Sequence, residues 1–494
     1  MSRVRTFTIG ALMAAGAMGG CAAGLSPAPD LGGLYNRAAQ SGDAIRNPVI
    51  VIPGIGGSKL VDRDTGRVVW GAFAGTYANP SRPDGARLVA LPMAEGRPLH
   101  DLRDAVEAPG ALDRVRVRLF GLPIEPQAYL YILRTLGVGG YRDETLGRMG
   151  QLDYGPGHFT CFQFPYDWRR DNAENARRLH EFILEKRAYV LAELKKRHGI
   201  DRPDLKFDIV AHSMGGLLTR YYLQYGAADL PTDGSLPPVT WAGAAHVHRA
   251  ILIGTPNAGS ADALVQLVEG RRFAPILPRY QAAVLGTMPS IYQLLPRARH
   301  GAVVVGPEPD APPLDVLDPA VWERFGWGLA AEHDPVLSWL LPDVPDPAAR
   351  RQIARDHLRK VLARTNQFHA ALDRPATPPA GLDLHLFAGD AKPTASRLAV
   401  DPASGRVTVR EQGPGDGTVL RTSAVLDERV GRPWTPGLAS PIMWSSITFL
   451  FSDHLALTQD LGFTDNLLFR LLDSPRPGPP LRRPDPTVRG GPSG

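Results

Sequence analysis

A chain of 494 residues is long enough for one large α/β core with insertions or for two or three smaller domains. Its 44% hydrophobic and 21% charged residues are an ordinary globular mix. The net charge of +5 comes without a dense Lys/Arg cluster interleaved with aromatics, which argues against a nucleic-acid partner.

At the N-terminus, Arg3 and Arg5 precede an apolar run from Phe7 to Met18. Residues 1–20 therefore read as a secretory signal, too short for a mature membrane span. The following Met18-Gly19-Gly20-Cys21 resembles a bacterial lipobox with Met in place of the usual Leu. Lipidation is expected at Cys21, followed by a polar tether over 21–46. The expected location is that of an exported, membrane-anchored bacterial lipoprotein, on the periplasmic or outer-membrane face. The second cysteine, Cys161, is expected to be a buried structural thiol, so no intramolecular disulfide is predicted. No metal motif is visible and no cofactor is implied.

The first part of the folded core is assigned to 47–260. Asn47–Ile52 is apolar without alternation, the pattern of a strand buried on both faces. It runs into Pro53-Gly54-Ile55-Gly56-Gly57-Ser58, which lacks the Gly-Lys-Ser/Thr ending of a phosphate loop. In a serine hydrolase this loop supplies an oxyanion N–H, here that of Ile55. Residues 70–150 are irregular and read as an insertion carrying one amphipathic helix, about Glu125 to Leu136. Phe159–Phe164 is the next strand, and Asn172–His198 a long helix stopped by Gly199. With the strand that follows, these make a βαβ unit with parallel strands.

The central stretch is Phe207–Ala211, His212, Ser213, Met214, Gly215, Gly216. A short apolar strand, a serine flanked at two positions by Ala211 and Gly215, and a helix from Leu217 to Gln224 form the nucleophile-elbow pattern, with Ala for the first Gly. Small neighbours are needed because strand and helix backbones nearly touch at such a turn. The Met214 N–H, at the helix start, is the second expected oxyanion donor. Arg249–Gly254 is another strand. Residues 261–380 are helix-rich, contain Trp322, Trp327 and Trp339, and read as a cap with an apolar inner face. The C-terminal part of the core is 381–473, with strands at Leu382–Gly389 and Ile447–Phe451, and 474–494 is a Pro/Gly/Arg-rich tail expected to be disordered.

Serine hydrolases of this kind carry their triad in the order Ser, acid, His. Of thirteen histidines only His454 lies beyond His385, which makes it the base. Asp416, between Gly415 and Gly417, is the first choice of acid; Asp390, after the Leu382–Gly389 strand, is the second. His212, adjacent to the nucleophile, reads as a packing residue.

The set Pro53-Gly54-Ile55-Gly56, Pro165-Tyr166-Asp167-Trp168-Arg169, Ala211–Gly216, Gly254-Thr255-Pro256, Pro289–Pro296, Gly415–Val419 and Asp453-His454-Leu455 resembles the lecithin:cholesterol acyltransferase family, which includes lysosomal phospholipase A2-type enzymes. The resemblance covers roughly 47–300 and 382–460. It implies an α/β-hydrolase fold, with a mostly parallel sheet flanked by helices and a lid, and acyl transfer from a lipid ester through Ser213, Asp416 and His454. It also suggests an active-site wall at Asp167 and Trp168; a structural strand-to-helix corner is the other reading of that motif. Three features depart from the family: the lid disulfide has no cysteines here, Ile55 replaces a polar or thiol residue, and about 301–364 matches nothing recognisable. Two other functions stay open on sequence alone, a hydrolase of soluble esters and a non-catalytic binding lipoprotein that retained the fold.

Overall fold

The computed structural model describes residues 29–40, 46–71, 77–111, 117–119, 122–124, 128–155, 157–272, 278–306, 308, 311–333 and 335–473. The expected signal segment, Cys21 and the 474–494 tail lie outside them. At the centre are six strands: β1 (Val49–Ile52), β2 (Cys161–Gln163), β3 (Phe207–His212), β4 (Val247–Ile253), β5 (Asp383–Gly389) and β6 (Ser446–Leu450), in the order β6-β5-β4-β3-β1-β2. Every neighbouring pair is parallel, with Ile50 opposite Ile209 between β1 and β3.

The four residues of β1 are all buried because each sheet face is covered. Ile50 and Ile52 join one apolar core, whereas Val49 and Val51 join the other. The first core holds the helices α1 (Asn172–His198), α2 (Met214–Tyr225), α3 (Ala261–Glu269) and α4 (Pro347–Leu372). The second holds Ile132, Leu133 and Leu136 of the helix Ala128–Val138, and Phe463 and Leu467 near the C-terminus. The ends of α1 follow local chemistry. The Asp171 side chain accepts from the Ala173 N–H, and Gly199 closes the helix at φ 66°. A parallel sheet covered by helices on both faces, with the helix-rich stretch inserted between β4 and β5, is the expected α/β-hydrolase fold.

Several expectations change in detail. Within the span read as a polar tether, Leu31–Gln40 is a helix whose Tyr35 is buried and whose phenol donates to Asp465 Oδ1 at 2.7 Å. Arg46 holds the other end of this helix, donating to Ala38 O, Ala39 O and Gly139 O. The 70–150 insertion is more regular than its glycines and prolines suggested. Val106–Ala111 and Val68–Trp70 flank Ser58–Asp62 in a small antiparallel sheet. In the helix-rich stretch, Trp322 and Trp327 pack edge to face at 5.7 Å inside the core that also holds α1 and α2, so these indoles are core residues rather than an inner cap surface. Val303–Val305 adds to the hairpin Lys392–Val400/Val407–Gly415, tying that stretch to the chain after β5.

Parallel strands deliver all their C-terminal ends to one edge. The loops starting at Pro53, Phe164, Ser213, Gly254, Asp390 and Phe451 therefore gather there.

Candidate active site

Ser213 stands between β3 and α2 at φ 54° and ψ −126°, one of the few non-glycine residues with positive φ. Its backbone is over-determined: the Ser213 N–H donates to Ile253 O at 2.8 Å, and the Gly216 N–H donates to Ser213 O at 2.9 Å. The need for small neighbours is literal. A Cβ on Gly215 would lie 2.5 Å from Pro53 O, and one on Gly54 would lie 2.8 Å from the Ser213 Cβ.

The Ser213 Oγ is 3.0 Å from His454 Nε2, and His454 Nδ1 is 2.8 Å from Asp416 Oδ2. An ionised carboxylate only accepts, so the ring proton belongs on Nδ1 and Nε2 is left to accept the serine proton. Asp416 is 2% exposed. Its other oxygen, Oδ1, accepts from the Thr418 and Val419 N–H groups, and its carbonyl accepts from the His454 N–H at 2.9 Å. Asp390, the alternative acid, is instead paired with Arg421 at 2.9 Å. The Gly254–Ser260 loop anchors the acid's loop. Ser260 Oγ donates to Thr418 O, and Asn257 Nδ2 donates to Ala424 O, both at 2.7 Å.

The two expected oxyanion donors are free. Neither the Ile55 N–H nor the Met214 N–H donates to any described residue. Met214 opens α2, whose N-terminal dipole adds partial positive charge. Three side chains hold the loop that carries Ile55. Tyr166 Oη donates to Pro53 O at 2.8 Å, the Gly54 N–H donates to Tyr129 Oη at 2.7 Å, and Trp70 Nε1 donates to Gly56 O at 2.6 Å.

Asp167 and Trp168 do not join this group. Asp167 is 1% exposed and forms a two-pronged pair with Arg169, at 2.9 and 2.7 Å. Burial alone would raise its carboxyl, and the Arg169 guanidinium reverses that and holds it below the usual range. The motif is thus a structural corner, and its contribution to the site passes through Tyr166. Trp168 is buried and props Trp70 edge to face at 5.3 Å; its indole N–H has no partner among the described residues.

A cavity of about 520 Å³ lies elsewhere, with no triad residue in its wall. Three of its cations are matched by carboxylates, Arg170 by Glu174, Lys360 by Asp356, and Arg364 by Asp171 and Asp229, whereas Arg97 in the same wall donates to the Asp101 carbonyl at 3.5 Å. Among the described residues no His/Cys/Asp/Glu group is placed to hold a metal, and no helix is long and apolar enough to cross a membrane.

Residues 141–316 match the family model of lecithin:cholesterol acyltransferase. The resemblance carried by the motifs is therefore borne out. The acyltransferase-type segment includes Ser213 and the Pro165–Arg169 corner, and stops before Asp416 and His454. Among solved structures, the Tle4–Tli4 complex aligns at 15% identity with a TM-score of 0.53, covering 86% of this chain and 98% of that one, a likeness of fold. EstA from Clostridium botulinum aligns at 11% identity and a TM-score of 0.31, covering 86% and 87%. No curated protein sequence matches.

Outside the acyltransferase-type motifs, the sequence carried no local signal for Tyr129 or Trp70. Both come from the 70–150 insertion, and only the docking of that insertion brings them to the oxyanion loop. His212, read as a packing residue, is also hydrogen-bonded on both ring nitrogens.

Proposed function

We propose that this protein is a serine esterase or acyltransferase acting on lipid acyl esters, with Ser213 as nucleophile, His454 as general base and Asp416 as its orienting acid. The observation that carries the reading is the unbroken line Ser213 Oγ to His454 Nε2 to Asp416 Oδ2 at 3.0 and 2.8 Å beside two unpaired backbone donors. The matched family is one of lipid acyl transfer by name, which supports a lipid ester over a soluble one.

In this mechanism His454 Nε2 takes the Ser213 proton as Oγ bonds to the ester carbonyl carbon. The carbonyl oxygen becomes an oxyanion, received by the Ile55 and Met214 N–H groups; losing one such donor typically lowers kcat by about 10²–10³-fold. Asp416 stabilises the imidazolium. The intermediate collapses, the C–O bond to the alcohol breaks, and the imidazolium returns its proton to the leaving oxygen. The acyl-enzyme is then cleaved by water or by a second alcohol, deprotonated by the same imidazole. We also propose lipidation at Cys21 and export to a membrane surface, on the evidence of the N-terminal sequence.

The test is covalent labelling by a fluorophosphonate in cells expressing the full chain. Labelling is expected in the membrane fraction, abolished in Ser213→Ala, and moved to the soluble fraction in Cys21→Ala. Wild-type protein that resists the probe would remove the enzymatic reading; label that stays with membranes in Cys21→Ala would remove the anchor. Incubation with phosphatidylcholine and a long-chain alcohol should give free fatty acid or a new ester. Hydrolysis of soluble esters alone would favour the alternative substrate class.

A further inference from the structure

We propose that Tyr129 and His212 form a brace that ties the oxyanion loop to the main chain of His454, making both positioning residues for the chemistry at Ser213. The inference rests on the acyl-transfer reading above and assigns work to two side chains outside the triad.

The Gly54 N–H can only donate, so Tyr129 Oη accepts it at 2.7 Å and keeps its own proton to give. That proton points to His212 Nδ1, 3.3 Å away. Nδ1 therefore accepts, and the ring proton sits on Nε2, which donates to His454 O at 3.0 Å. The opposite tautomer would set the Nε2 lone pair against a carbonyl oxygen. Of the two neutral tautomers only this one satisfies all three contacts. The surroundings keep the imidazole uncharged: His212 is 2% exposed, and burial, with the nearby His454 ring, lowers its pKa to about 3. Burial raises the Tyr129 phenol, so it too keeps its proton.

The brace has rigid ends. Tyr129 fits tightly under the loop, since a Cβ on Gly57 would lie 2.8 Å from its ring. The His454 main chain is held on both sides, its N–H by Asp416 O at 2.9 Å and its carbonyl by His212. Ile55 follows Gly54 directly, and Ser213 follows His212. One line of hydrogen bonds thus sets the spacing between oxyanion donor, nucleophile and base, the spacing on which near-attack geometry depends.

The experiment uses the full-length protein and the variants Tyr129→Phe, His212→Gln, His212→Phe and the Tyr129→Phe/His212→Gln double. Turnover of a p-nitrophenyl ester and the rate of fluorophosphonate labelling at Ser213 are both measured. Tyr129→Phe is expected to lower kcat at least about tenfold with KM little changed and the thermal midpoint near wild type. His212→Gln, which keeps an N–H near the Nε2 position, should recover part of the activity that His212→Phe loses. The double variant should be no worse than the poorer single, because one broken link already uncouples the line. Wild-type turnover in Tyr129→Phe, losses that multiply in the double, or losses that follow thermal stability would overturn the brace while labelled Ser213 left the acyl-transfer reading intact. A wild-type protein without label at Ser213 would overturn both, and the Tyr129→Phe arm decides the matter even if the His212 variants do not fold.

Discussion

At the residue scale, Ser213 illustrates how conformational strain is held in place. Its φ of 54° and ψ of −126° cost roughly 1–3 kcal/mol, offset by the bonds through its own N–H and C=O and by the glycine contacts around it. Asp416 is equally constrained, since one oxygen is committed to the Thr418 and Val419 N–H groups and the other to His454. In Asp416→Asn the amide oxygen can keep the turn, which puts the amide NH₂ against His454 Nδ1. The ring must then carry its proton on Nε2, facing Ser213 Oγ, and the base is lost. Turnover should fall by roughly 10⁴-fold in steady-state assays. Asp390→Asn, which touches only the Arg421 pair, should stay near wild type, and equal losses in the two variants would reverse the choice of acid.

At the element scale, the site consists of loops leaving the same edge of one sheet, each fixed by a different partner. The corner after β2 is an example. Arg169 is fully buried and pairs with Asp167 and Asp104, while its Nη1 donates to Val89 O at 3.1 Å. Arg169→Met keeps much of the volume but leaves the Asp167 carboxylate buried without its cation. Removal of one partner from such a pair destabilises by roughly 3–5 kcal/mol. Equilibrium denaturation by urea should show that loss, and Tyr166, next to Asp167 in the chain and hydrogen-bonded to Pro53 O, should transmit it to ester turnover. An unfolding midpoint equal to wild type would mean the corner is supported by something other than this pair. For the same reason the resemblance at Pro165–Arg169 indicates support for the Pro53–Gly56 loop, through Tyr166, rather than a substrate contact by Asp167.

At the scale of the whole molecule, burial of histidines sets the acid limit of stability. Burial lowers the pKa of His212 and His369 to about 3, and that of His357 and His385 to about 4. An unfolded histidine titrates near 6.5, so between about pH 6.5 and 4 the unfolded chain binds more protons than the folded one. Stability therefore rises with pH across that window and is lost as the pH falls through it. Each such histidine contributes about 1.4 kcal/mol per pH unit at most. Thermal midpoints measured from pH 7 to 4 should decline across the window, before the carboxylates protonate. His212→Phe should flatten part of that slope, and a midpoint independent of pH down to 4.5 would contradict the buried, neutral assignment.

Local patterns made much of this protein readable from its sequence. Apolar runs marked strands buried on both faces, Asp171 and Gly199 bounded α1, and a serine among small residues between strand and helix marked the elbow. These signals are local because backbone sterics, capping and periodicity act over a few residues. Chain order then narrowed the base to His454. The tertiary structure alone decided which carboxylate meets that imidazole, that Asp167 is bound to Arg169, that Leu31–Gln40 docks through Tyr35, and that Tyr129 reaches the loop at Gly54. The physical reason is that hydrogen bonds and ion pairs form over about 3 Å between segments far apart in the chain, where no local preference specifies the partner.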